Sequence, residues 1–134
     1  MAWELRGFSI GNLVSNATMA SNQFKCVKAH TTNNQFALCD TDGEPVLGIL
    51  QDNQGSGLSG DIMAVGVSKV VAAETLTAGD KWGTDSSGLA KKVEITVTGA
   101  DVGDYVAGEV LEGAAVNELA TVTIGFPTFM VEAQ

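Results

Sequence analysis

A chain of 134 residues, 45% of them hydrophobic and 17% charged, has the length of one domain and enough apolar content to bury a core, which excludes a disordered tail. Seven basic against sixteen acidic residues give a net charge of −9, and Arg6, Lys25, Lys28, Lys69, Lys81, Lys91 and Lys92 form no dense cluster, which excludes a phosphate-binding surface for nucleic acid. No apolar run approaches the roughly 20 residues of a membrane-spanning helix, and "MAWELRGFSIGNL" lacks the basic and apolar regions of a signal peptide, so the expectation is synthesis in a cytoplasm and no membrane partner.

Residues 1–22 hold Trp3, Leu5, Phe8, Ile10, Leu13 and Val14 at no constant period. Such a stretch is either a strand docked on its own core or an arm that docks on a neighbour. The expected organisation is an N-terminal arm or docking strand over 1–22 and a single β-rich domain over 23–134. Phe24–Lys28 and Phe36–Leu38 are strand candidates, "DTDGEP" at 40–45 is a turn, and Val46–Leu50 is an apolar strand. "DNQGSGLSGD" at 52–61 is a loop, and Ile62–Ala73 is rich in the β-branched residues that suit a pleated surface.

Further along, "TAGD" at 77–80 and "SSG" at 86–88 are turns, with Trp82 between them. Gly43, Gly79 and Gly88 are the structural turn residues, with positive φ expected at Gly79 and Gly88. Val93, Ile95 and Val97 alternate with polar neighbours, as do Val122, Ile124 and Phe126, and Tyr105–Leu111 is a strand between them. Helical periodicity is absent beyond short turns near 15–22 and 114–119. Strands every 8–12 residues predict an all-β fold, a small compact barrel or sandwich with tight glycine turns.

Chemistry-bearing patterns are sparse. Asp40-Thr41-Asp42-Gly43-Glu44 resembles the opening of a calcium loop, but position twelve is Gln51 and the helical flanks are missing, so a turn is the better reading. The glycine-rich segments 55–60 and 79–88 lack the Lys-Ser/Thr ending of a phosphate loop. His30, Cys26 and Cys39 offer three zinc ligands without a Cys-x-x-Cys pair, and no Gly-x-Ser-x-Gly elbow accompanies the serines. Cys26 and Cys39 are expected to be free thiols in a reducing compartment, although their spacing also permits a disulfide. Asn16-Ala17-Thr18 is a glycosylation sequon with no secretion signal to give it meaning. No enzyme activity, cofactor or metal is expected.

Several pieces in order carry a family resemblance: "SNQFKCVK" (21–28), "GEPVLGILQDNQGSG" (43–57), "VGVSKVVAAETLTAGDKWGTDSSGLA" (65–90) and "GEVLEGAAVNELATVTI" (108–124). The series resembles the small capsid decoration, or cement, proteins of tailed bacteriophages. That resemblance implies a compact β-rich fold on the outer capsid surface of a virion. It also implies assembly as homotrimers and a structural role in locking neighbouring major capsid proteins together. A trimer is also expected because strands 93–98 and 121–126 present apolar residues that one barrel does not fully cover. Trp3, Leu5, Phe8 and Ile10 are the candidate capsid-binding residues, able to add a strand to an exposed edge on the shell. The alternative is a surface-associated binding module for carbohydrate or protein, for which Trp82 is the one plausible stacking platform.

Overall fold

The computed structural model describes residues 2–94, 101, 103–125 and 129–130. It is all-β, with no helix among those residues. The strands are β1 (Leu5–Ile10), β2 (Val14–Ser15), β3 (Cys26–Ala29), β4 (Gln35–Leu38), β5 (Gly48–Leu50) and β6 (Ile62–Val71). They continue with β7 (Lys81–Thr84), β8 (Ala90–Lys92), β9 (Tyr105–Val106), β10 (Gly108–Glu112), β11 (Leu119–Ile124) and β12 (Phe129–Met130). Of the expected strand over 93–98, Val93 is buried and, like Glu94, lies outside any strand, while residues 95–98 lie outside the described residues, as do Phe126 and Pro127.

Ten strands form one sheet in the order β2-β4-β3-β5-β6-β11-β10-β7-β8, with β1 paired to β6 off this path; β9 and β12 make a separate pair. The sheet is not closed into a barrel, because β2 and β8 stand at opposite ends of the path. Ten-residue β6 is its spine. Ile62 and Met63 pair with both β1 and β5, and Val67 pairs with both β1 and β11. A strand has only two edges, so β5 and β11 must follow one another along one edge while β1 runs along the other. Two leaves, β2-β4-β3-β5 and β11-β10-β7-β8, therefore hang from a single strand.

The spine departs from regular β geometry between the leaves, at Gly66, whose φ is 147°. A side chain there would press on Gly7 N and Leu5 O, and one at Gly7 would overlap the Val65 carbonyl. Glycine at both positions lets β1 lie this close to β6. One core spans both leaves: Cys26, Cys39 and Ile49 from the first and Trp82, Val110, Val122 and Ile124 from the second meet over Met63 and Val70 of the spine. A second cluster, Met19, Val27, Phe36, Leu50 and Ile62, is flanked by Ile10, Leu13 and Leu38. Val122 and Ile124 are thus used up inside the chain, whereas Phe126 and residues 95–98, the other apolar positions from which a trimer was expected, lie outside the described residues.

Gly43, Gly79 and Gly88 have φ of 75°, 95° and 77°. Their surroundings differ. A Cβ at Gly79 meets nothing within 4 Å, whereas at Gly88 it lies 2.9 Å from Leu38 Cδ1 and 3.2 Å from Cys26 O. Gly79→Ala should therefore cost only the backbone term, about 1–2 kcal/mol, and Gly88→Ala that term plus crowding of about 1–3 kcal/mol. Urea denaturation of the two variants checks the order, and equal costs would show that space at Gly88 is not limiting.

Candidate docking surface

Along β6 beyond Gly66, Val70 packs inward with Ala120 and Val122, so the alternate residues Val67, Lys69 and Val71 face outward, opposite Thr123, Thr121 and Leu119. Leu5 pairs with Val67 on this outer face. The chain preceding β1 crosses toward β11, where Trp3 N donates to Thr121 Oγ1 at 2.8 Å. Beside it the Lys69 ammonium lies 3.6 Å from the Glu4 carboxylate and 5.5 Å from the centre of the Phe24 ring. Phe24 holds a φ of 64°, an uncommon state for a bulky side chain. It is fixed there by two backbone bonds, Phe24 N to Leu50 O and Val71 N to Phe24 O.

The result is an apolar strip beside the paired charges of Lys69 and Glu4. Trp3, Leu5 and Phe8 are 46%, 65% and 78% exposed. At 150–250 Å² per aromatic side chain, Trp3 and Phe8 alone offer roughly 200–300 Å² of accessible surface. Ile10 does not belong to this strip; it pairs with Ile62 and packs against the second core cluster. The register slips twice within β1, between Leu5 and Phe8 and between Phe8 and Ser9. Such bulges break the even rung spacing that an added strand needs, so this edge suits docking by its side chains better than strand addition. A second group, Leu111, Val116 and Leu119, is exposed along the β10–β11 hairpin.

The remaining residues singled out in the sequence are engaged elsewhere. Trp82 is fully buried in the core and its Nε1 donates to Thr123 O at 2.9 Å, so it is not a stacking platform. The carboxylates of 40–44 are taken up by lysines. Lys28 binds Asp40 and Glu44 at 2.5 and 2.9 Å, which raises the lysine pKa and lowers that of Asp40, and Glu44 also accepts from the backbone N–H groups of Asp40 and Thr41. Lys91 reaches Asp104 at 2.5 Å, Asp42 at 2.8 Å and Asp101 at 3.6 Å. Burial opposes the Lys91 charge, but the bonds to Asp104 and Asp42 outweigh it and raise its pKa. No short-range pattern announces this group, because its members come from positions 42, 91, 101 and 104.

Cys26 and Cys39 are free and buried, and burial pushes both thiols up, Cys39 to about 12. His30 Nδ1 accepts from the Thr32 N–H at 3.0 Å.

No family model matches the chain, and no curated protein matches it. The fold is similar to that in the crystal structure of the head fiber gp8.5 N base in bacteriophage phi29, with a TM-score of 0.59 over 87% of this chain and 92% of that one. Identity is 16%, so the likeness is one of fold.

Proposed function

We propose that the protein is a structural component of a phage head, a decoration or cement protein that sits on the outer surface of the shell and stabilises contacts between major capsid proteins. The observation that carries this reading is the shared fold with a phage head fiber base over most of both chains. The outer strip supports it: Trp3, Leu5 and Phe8 expose apolar surface beside a neutral ion pair on a chain of net charge −9. An apolar patch rimmed by polar residues is the usual mark of a protein-binding surface. The role is non-enzymatic, and the partner is protein rather than nucleic acid or membrane. We propose further that the Leu111–Val116–Leu119 group joins copies into homotrimers. Light scattering of the free protein and imaging of decorated heads check this, and isolated single copies on the particle would rule it out.

Attachment is tested by adding the purified chain to undecorated heads and measuring co-sedimentation and resistance to heat. A ligand that binds only the intact shell stabilises it by about 2.7 kcal/mol per site at a hundredfold excess over Kd. The double variant Leu5→Asp, Phe8→Asp should bind about tenfold or more weakly while its circular dichroism stays unchanged, because both side chains are exposed. Equal binding by the variant would remove β1 from the attachment surface. No binding by the parent chain would remove the head-associated role.

A further inference from the structure

Cys26 opens β3 and Cys39 follows the last residue of β4. The ladder Ala29–Phe36, Lys28–Ala37, Val27–Leu38 sets them opposite each other on the next rung. Cys39 N donates to Cys26 O at 3.0 Å, but Cys26 N turns away to Gly88 O at 2.8 Å, so the rung is bonded on one side only. Both side chains belong to the main core and are fully buried there.

We propose that Cys26 and Cys39 are a latent disulfide, held as thiols under reducing conditions and closed into a cross-strand bond by a small disulfide oxidant such as oxidised glutathione. Directly opposed Cβ atoms in a ladder lie about 4.5–5.5 Å apart and those of a disulfide about 3.5–4.5 Å, so closure asks for a shift of about 1 Å. The half-bonded rung at the end of both strands is where the ladder yields most easily.

In the first step, one thiolate attacks the oxidant's S–S bond and expels one glutathione thiolate. The second cysteine, as thiolate, then attacks the mixed disulfide and expels the other. The two protein protons end on the two glutathiones, the oxidant is reduced, and the cysteines are oxidised. Burial keeps both thiols protonated in the folded chain, so the first step needs local opening. The core has no room for a glutathione adduct, and re-closure drives the second step. This pairing is independent of the head-associated role.

The full chain is unfolded and refolded in a glutathione redox buffer, then analysed by intact mass and by thiol alkylation in denaturant. The expected product is a monomer lighter by two hydrogen atoms, with no alkylatable thiol and a higher urea midpoint that reverts with dithiothreitol. Cys39→Ser, treated identically, should show neither the mass loss nor the midpoint shift. Two alkylatable thiols, glutathione retained on either cysteine, a disulfide-linked dimer or a lowered midpoint would each overturn the proposal.

Discussion

Trp82→Ala is expected to lower the unfolding free energy by about 3–5 kcal/mol, the range for emptying a fully buried aromatic site. A domain of this size has only about 5–15 kcal/mol in total, so the variant is expected near the edge of folding. The loss has two parts. The indole fills the core where the two leaves meet, and its N–H satisfies the Thr123 carbonyl. Trp82→Phe keeps most of the first and deletes the second, and should cost about 1–3 kcal/mol. Far-UV circular dichroism in urea measures both variants. An alanine variant within about 1 kcal/mol of the parent would mean that the indole is not the packing element described.

Lys91→Gln should cost about 1–3 kcal/mol, less than the 3–5 typical of a fully buried pair because Asp42 remains half-exposed and partly screened. The charge left behind is the reason. Asp104 and Asp101, both largely covered, would keep their carboxylates with no cation between them. Combining Lys91→Gln with Asp104→Asn should therefore cost less than the sum of the single changes. Asp42→Asn alone should cost no more than about 1 kcal/mol.

The same lysine gives a pH signature. Its folded pKa is raised, so its contribution is complete below the ordinary lysine value of about 10.4 and fades as pH climbs through the folded value. The buried thiols have the same sign: folding holds them protonated, whereas unfolded cysteine ionises from about 8.5. Urea midpoints should hold steady through neutrality and decline above about pH 9, less steeply in Cys39→Ala. A midpoint unchanged to pH 11 would contradict both assignments.

Elements built from local pattern were legible in the sequence. The β-branched run from Ile62 became β6, the alternation at 121–124 became β11, and Tyr105–Leu111 became β9 and β10. The positive φ at Gly79 and Gly88 follows from turn chemistry that acts within four residues. What escaped depends on which distant strands meet. Trp82 stands between Lys81 and Gly83 and reads as a surface residue; it is buried because β7 pairs with β10 and lies over the core of both leaves. Likewise, nothing local says that one strand would serve three partners, or that Lys91 would gather carboxylates from two loops. At the docking strip, the apolar character of Trp3, Leu5 and Phe8 was visible, while the inward turn of Ile10 was set by its register with Ile62.

The branched spine also sets a timetable for folding. β6 takes its partners from residues 5–10, 48–50 and 119–124, so its longest pairing joins segments separated by about half the chain. Pairings of such high sequence separation form slowly, since loop closure must precede any reward from contact. During synthesis, β1 and the first leaf can assemble as soon as β6 has left the ribosome, but the edge reserved for β11 stays bare until residue 124 emerges. For that interval the nascent chain displays Val70 and the inner face of half a spine, the kind of unpaired strand that invites misassembly between chains. Lesions that slow the closing of β10 on β11 should thus surface first as poor soluble yield rather than as a weaker finished fold.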